Sequence, residues 1–289
     1  RYQPGPTARP AAGATFHLKF LHCSMSSLTI TTVQTGVQWE DKSANLKRLE
    51  ERILAIPEPT ELVVLPEMFS TGFSMRPQAL AESMDGPTLA WMQEMAARKK
   101  IILTGSIIIE EEGNYYNRLI WMLPNGQYGS YDKRHRFAYA GEHEQYTAGH
   151  KRLIASVKGW RVLLLVCYDL RFPVWSRQTR LPDTTELEYD LLVYVANWPE
   201  SRSHAWKTLL QARAIENQCF VAGVNAVGKD GNDIYYSGDT MILDPLGATL
   251  YHAAEKDETH TQTLRKEDLA RVRQRFPFWK DADHFSIEP

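Results

Sequence analysis

Much that would mark a specialised protein is scarce or missing in this chain. Three cysteines in 289 residues (Cys23, Cys167 and Cys219) cannot build a disulfide framework. Their odd number and wide spacing fit a reducing compartment, in which each thiol is read separately. No Asn-x-Ser/Thr site occurs, which agrees with that reading. No run approaches about 18 consecutive apolar residues, so a membrane-spanning helix is excluded. The chain also has little net charge: 33 Lys+Arg against 35 Asp+Glu give -2. Holding nucleic-acid phosphates needs a net basic face, and the run Lys133-Arg134-His135-Arg136 is the sole local exception.

What is present is ordinary for a globular protein. With 43% hydrophobic and 24% charged residues, the composition excludes collagen-like, low-complexity and largely disordered chains. Residues 1–24 are rich in Pro, Ala and Gly and lack the uninterrupted apolar core of a signal peptide. They read as a leader, tag or upstream extension without a fold, and Met25 looks like a natural start. No linker, charge block or repeat interrupts residues 28–275, so residues 25–289 read as one domain.

Strands and helices alternate from Leu28 onward. Residues 44–56 put Leu46, Leu49, Ile53 and Leu54 on one helical face. Short apolar strands are expected at 62–65, 101–109, 162–166, 191–196 and 220–227, with a hairpin about Pro124-Asn125-Gly126. Gly86-Pro87 opens a helix to about Lys100. Ser201 is expected to cap a long helix whose Leu209, Leu210, Ala212, Ala214 and Ile215 pack inward. A last helix covers 265–275. Such alternation with added hairpins indicates an α/β (α+β) fold, either a mixed sheet or two stacked sheets covered by helices.

Several tempting motifs fail. Gly223 to Asp230 nearly matches G-x4-G-K-[ST], but Asp230 replaces the required hydroxyl, and a Gly-Asn turn stands where a helix should start. No G-x-S-x-G elbow and no H-E-x-x-H occurs, and His135, His143 and His150 lack metal-ligand spacing. Three stations at strand ends carry more. Cys167 closes an apolar strand and is followed by the charged turn Tyr168-Asp169-Leu170-Arg171; it is either a buried structural thiol or a nucleophile. Glu67 follows Leu62–Leu65 and Pro66, as a loop cap or a general base in a dry site. Lys133, after a hairpin strand, is on its own an ordinary solvated lysine. Glu142 and Glu144 on their own read as a solvated loop. Cys219 opens an apolar strand without a polar flank and reads as core.

Taken in order, Glu67 in LPEMF, Lys133 in YDKRH and Cys167 in VCYDLRFP resemble the Glu–Lys–Cys triad of the nitrilase superfamily of carbon–nitrogen hydrolases. The likeness runs from about Leu28 to the C-terminus and includes Asn197-Trp198-Pro199, ARAIENQ at Ala212–Gln218 and Gly238-Asp239. GEHEQYTAG, CYDLRFPVWSR and RFPFWKDADHF look like the omega-amidase branch. The resemblance implies a four-layer α-β-β-α sandwich, and a thiol amidase for 2-oxo acid monoamides such as 2-oxoglutaramate. Cys167 would be nucleophile, Glu67 general base and Lys133 the cation, with Glu142 a further glutamate holding the lysine. The Tyr168 N–H would join Lys133 at the oxyanion. Neither metal nor organic cofactor is implied. The substrate's carboxylate calls for a cationic or hydroxyl contact. Arg171 is a candidate, or else a structural partner of Asp169 or another acid. Phe69, Tyr168 and Trp198 are candidate pocket walls, each also readable as core, and Asn197 is a further candidate for the pocket. Alternatives are an amidase for deaminated glutathione, a carbamoyl hydrolase, or a non-catalytic binding subunit. A cytoplasmic homodimer is expected, with Pro173–Arg180 and the Ser201–Gln218 helix contributing.

Overall fold

Alternation within the apolar strands decides the layering. The computed structural model describes residues 26–181, 184–283 and 285–287; the leader expected over residues 1–24 lies outside them. The first half of the chain forms β1 (Ser27–Gln34), α1 (Lys42–Leu54), β2 (Leu62–Val64), α2 (Pro77–Leu80), α3 (Pro87–Lys99), β3 (Ile102–Glu111), β4 (Asn114–Met122) and β5 (Tyr128–Asp132). Next come α4 (Glu142–Gln145), β6 (Leu153–Val157), β7 (Trp160–Val166), α5 (Pro173–Ser176), β8 (Leu191–Ala196) and α6 (Ser203–Asn217). The chain closes with β9 (Phe220–Asn225), β10 (Val227–Lys229), β11 (Tyr235–Leu243), β12 (Thr249–Ala254), β13 (Glu258–Arg265) and α7 (Lys266–Arg275).

Two sheets result. The first has the order β13-β1-β2-β3-β4-β5, and the second runs β10-β11-β9-β8-β7-β6 with β12 also paired to β11. β1, β2 and β3 are parallel, as are β7, β8 and β9, with antiparallel strands at the flanks. In the first sheet Val63, Leu65 and Leu103 turn toward Leu49 and Ile53 of α1 and Met92 and Met95 of α3. Their neighbours Leu62, Val64 and Ile102 turn the other way, into the cluster holding Leu163, Leu165 and Val193 of the second sheet. Trp206, Leu210 and Ala214 of α6 cover the outer face of that sheet. Successive residues of a strand point to opposite faces, so strands apolar throughout must be covered on both sides. The four layers are therefore helix, sheet, sheet, helix. Cutting a buried side chain such as Leu164 back to Ala would cost about 2–5 kcal/mol.

Some local expectations are corrected. Ser201 does not cap α6: it sits in a 3-10 turn, Glu200–Arg202, set by the extended Pro199, and the helix starts at Ser203 with Arg202 at the cap. Ile215 is 55% exposed, because the inward stripe of α6 is Trp206, Leu210, Arg213, Ala214 and Asn217. The buried polar members of that stripe are satisfied: Arg213 donates to Leu170 O, and Asn217 bonds the Gln178 backbone N–H through Oδ1. Leu54 is likewise exposed while Asn45 is buried, donating to Gln38 O and Ser70 O. The strand expected over 220–227 breaks after Asn225. Among the described residues no helix is long and apolar enough to cross a membrane.

Candidate active site

Glu67, Lys133 and Cys167 arise at the ends of β2, β5 and β7, and the two sheets bring those ends together. After β2 the chain is pinned by Leu65 N donating to Thr104 O at 2.7 Å, and then turns at Met68, whose φ is 44°. Met68 N–H donates to Ser106 Oγ at 2.9 Å. The turn leaves Glu67 fully buried between the sheets and sends Phe69 toward the helices. After β5, Lys133 N donates to Asn117 O at 3.0 Å, and Gly149 N donates to Lys133 O at 3.0 Å. Gly149 is obligatory here, since a Cβ would stand 2.0 Å from Asp132 O.

Cys167 has φ of 43° and starts a 3-10 turn, Cys167–Arg171, so the nucleophile candidate stands on a strained corner. The buried Asp169 ties this turn to the lysine strand. It accepts from Val166 N (3.0 Å), Tyr131 Oη (2.7 Å) and His135 N (3.0 Å), and its Oδ1 lies 2.8 Å from His135 Nδ1. Trp175 Nε1 donates to Tyr131 Oη at 2.9 Å, locking the same corner.

At the centre, Lys133 Nζ donates to Glu67 Oε1 at 2.9 Å and to both oxygens of Glu142 at 3.0 and 2.9 Å. Asn117 Nδ2 bridges the two acids, 2.8 Å from Glu67 Oε1 and 3.3 Å from Glu142 Oε1. Glu67 Oε2 accepts from Asn197 N at 2.8 Å, and Glu67 O accepts from Asn197 Nδ2 at 2.7 Å. Cys167 Sγ lies 3.9 Å from Asn197 O. One ammonium thus serves two carboxyl groups, a formal excess of one negative charge beside the sulfur. Burial works against the Lys133 ammonium, but Glu142 and Glu67 outweigh it and hold its pKa above the lysine range. Burial pushes the Glu142 carboxyl up, against the pull of Lys133. Burial, then Glu67, push the Cys167 thiol well up, and Lys133 only partly offsets them. The sulfur at rest is therefore a thiol, not the thiolate that a lone neighbouring cation would favour.

Cys167 opens into a cavity walled by Phe73, Phe137, Tyr168, Trp198 and Tyr236. Two guanidiniums enter its lining. Arg171 Cζ lies 4.9 Å from the Trp198 ring centroid, and Arg202 Cζ lies 5.1 Å from that of Phe137. Neither has a carboxylate partner among the described residues. The expectation that Arg171 could pair with Asp169 is overturned, because Val166, Tyr131 and His135 occupy that carboxylate.

The structure gathers Glu67, Lys133, Glu142, Cys167 and Asn197, and places Tyr168, Arg171 and Trp198 in the cavity lining. Phe69 is corrected as a pocket wall: it is 1% exposed, faces the helices and packs over Gly105, while Phe73 lines the cavity instead. Sequence reasoning missed Asn117, Phe137, Arg202 and Tyr236. Asn117 stands next to Arg118, ahead of the apolar run Leu119–Met122, so nothing in the sequence marked it, and nothing marked Arg202. Among the described residues no group of His, Cys, Asp and Glu is arranged to hold a metal ion. The Gly223–Asp230 stretch forms β9 and β10, with no helix start for a phosphate.

A carbon-nitrogen hydrolase family model matches residues 29–274. Omega-amidase YafV of Escherichia coli K12 is 42% identical over 264 residues, 91% of this chain and 100% of that protein. The 2-oxoglutaramate amidase of Bacillus subtilis 168 is 30% identical over 256 residues, 88% of this chain and 96% of that one. Among solved structures, a CN-hydrolase superfamily protein of Xanthomonas campestris with an arsenic adduct in its active site is 44% identical. It has a TM-score of 0.89 and covers 91% of this chain and 100% of its own.

Proposed function

Since the chain belongs to the carbon–nitrogen hydrolase family, we propose that it is an omega-amidase, hydrolysing the terminal amide of 2-oxo acid monoamides such as 2-oxoglutaramate and 2-oxosuccinamate. The observation that carries this reading is the buried Glu67–Lys133–Glu142 array beside the Cys167 thiol, at a cavity whose charged lining residues, Arg171 and Arg202, have no carboxylate partner among the described residues. Acid–base groups adjoin the sulfur, and the charged side chains of the cavity lining are guanidiniums, which bind anions. That polarity matches an amide at one end of a substrate and a carboxylate at the other.

The steps follow from the charge count. A thiol that keeps its proton must lose it as it attacks, and Glu67 is the acceptor. As sulfur bonds to the amide carbon, the carbonyl oxygen becomes an oxyanion, met by the Lys133 ammonium and the Tyr168 N–H. Glu67 returns its proton to the nitrogen, the C–N bond breaks, and ammonia leaves behind a thioester. Water then gives a proton to Glu67 and adds to the thioester. Collapse expels the sulfur, which regains the proton, and releases the carboxylic acid. Glu142 holds Lys133 in place and shares its charge, and Asn197 and Asn117 fix the Glu67 carboxylate. Arg171 and Arg202 receive the substrate's carboxylate.

We read residues 25–289 as one catalytic unit working in the cytoplasm as a homodimer. The exposed Val174 and Ile215 support a partner contact on the α5–α6 side, and light scattering at micromolar concentration tests it. The activity test is ammonia release from 2-oxoglutaramate, beside an N-carbamoyl amine and a simple nitrile. Turnover should vanish in Cys167→Ala and nearly vanish in Glu67→Gln. Turnover of only the other substrates, or retained activity without the thiol, would overturn the proposal.

A further inference from the structure

Asp239 takes no part in the steps above, yet it draws more polar partners than any ordinary sheet residue. It is 3% exposed. Its Oδ2 accepts from Ser237 Oγ at 2.7 Å and Ser203 Oγ at 2.9 Å. Its Oδ1 accepts from Lys207 Nζ at 3.2 Å and lies 2.7 Å from His252 Nε2, and its carbonyl accepts from Trp206 Nε1 at 2.8 Å. Burial alone would raise its pKa, but these donors outweigh it and hold the carboxyl below the usual range. The backbone is shaped for the purpose. Gly238 and Asp239 have φ of 76° and 60°, where β11 slips register against β12. A Cβ on Gly238 would stand 2.3 Å from the Gln34 side chain, so this corner accepts only glycine.

The partners of Asp239 matter for what stands beside them. Ser203 follows Arg202, Ser237 follows Tyr236, and Trp206 packs on Trp198 with ring centroids 5.5 Å apart. Arg202, Tyr236 and Trp198 all line the cavity. The buried carboxylate therefore ties the residue after Arg202 to the residue after Tyr236, and the Asp239 carbonyl holds the Trp206 that backs Trp198.

We propose that Asp239 is a positioning residue for substrate selection, fixing Arg202 relative to Tyr236 and Trp198 so that the cavity accepts an amide with a distal carboxylate. The proposal rests on the amidase reading and deepens it. An asparagine at 239 can accept through one oxygen only. Either Nδ2 faces Ser203 and Ser237, whose hydroxyls must turn from donating to accepting, or it faces the Lys207 ammonium and leaves that donor without an acceptor; in both cases the charge is lost and the Arg202 wall loosens. The sulfur, Glu67 and Lys133 lie outside this set of contacts.

The test uses the full chain and compares 2-oxoglutaramate with pentanamide, which has no carboxylate. In Asp239→Asn, KM for 2-oxoglutaramate should rise about tenfold, the scale of a weakened charge-assisted hydrogen bond, with kcat within about twofold. The kcat/KM for pentanamide and the iodoacetamide reactivity of Cys167 should hold, a split that general damage to the core would not give. Arg202→Gln should likewise raise KM for 2-oxoglutaramate, and adding Asp239→Asn to it should raise that KM no further. Equal losses on both substrates, additive effects in the double variant, or an unchanged KM would each overturn the inference. Should Asp239→Asn fail to fold, Ser203→Ala cuts one link and must raise KM for 2-oxoglutaramate selectively; an unchanged KM there overturns it too. A wild-type protein inactive on 2-oxoglutaramate overturns the amidase reading and this inference with it. Wild-type turnover with an unaffected variant overturns this inference alone.

Discussion

Replacing Glu142 by Gln separates the two things that residue is argued to do. In the native site both its oxygens accept from Lys133, and Oε2 also accepts from Phe137 N. At the 2.9 Å separation, the pair's Coulomb attraction is bounded at about 6 kcal/mol for an effective dielectric near 20. The variant does not lose that much, because Lys133 keeps Glu67 and the new amide oxygen still accepts one bond. What disappears is a charge-assisted hydrogen bond worth about 1.5–3 kcal/mol. If it acts in the transition state, kcat falls roughly 10- to 150-fold. The same change removes a negative charge near the sulfur, leaving one ammonium and one carboxylate. The Cys167 thiol then gives up its proton more readily, and iodoacetamide should label it roughly tenfold faster at neutral pH. Turnover and alkylation therefore move in opposite directions. The assays are ammonia release and timed alkylation read by peptide mass spectrometry. Unchanged turnover, or alkylation that slows along with it, would refute the charge count.

Asn117→Leu removes the donor shared by the two acids, and its Oδ1 is already buried without a partner, so kcat should drop about tenfold while thermal stability changes little. A full-speed variant in steady-state assays would rule out that bridging role. Gly149→Ala forces a methyl onto the Asp132 carbonyl and should lower the melting temperature by several degrees, measured by calorimetry; an unaltered melt contradicts the close approach. In the wild type, burial holds the Cys167 thiol up, so its alkylation rate should still be climbing as pH passes about 8.5, the ordinary thiol value. A plateau near neutrality would mean that a thiolate is present at rest. Peptide mapping should also find Cys167 labelled well before Cys219, which is sealed in the core, and the reverse order would be decisive against the cavity assignment.

The sequence was most legible where burial is continuous. Leu62–Leu65, Val162–Val166 and Leu191–Ala196 are apolar on both faces because both faces are covered, and each points to the polar residue at its end. It was least legible where hydrogen bonds rather than apolar surface decide the packing. β13 reads Glu-Thr-His-Thr-Gln-Thr-Leu-Arg and has no apolar stripe, yet it pairs along all of β1. Part of its support is a hydroxyl ladder, Thr29 to Thr263 at 3.0 Å and Thr31 to Thr261 at 2.9 Å, which no hydropathy pattern announces. Phe69 was misplaced for a different reason: adjacency to Glu67 suggested a shared pocket, but the positive φ at Met68 divides the two. Arg202 was invisible because it lies in a short polar turn, Glu200–Arg202, that no hydropathy pattern marks. The inward stripe of α6 was shifted for the same reason as β13, with Arg213 and Asn217 held by partners outside the helix.

The count of two carboxylates to one ammonium also bears on the life of the protein between turnovers. Peroxide attacks sulfur mainly as the thiolate, the first step toward sulfenic and then irreversible sulfinic acid. A nucleophile that keeps its proton until a carbonyl arrives presents little of that species to an oxidant diffusing into an empty cavity. On the proposed mechanism, the same burial and carboxyl groups that keep the proton on Cys167 would also slow its oxidation. The protection follows from burial first and from the neighbouring carboxyl groups second, and it ends when a carbonyl draws the sulfur forward.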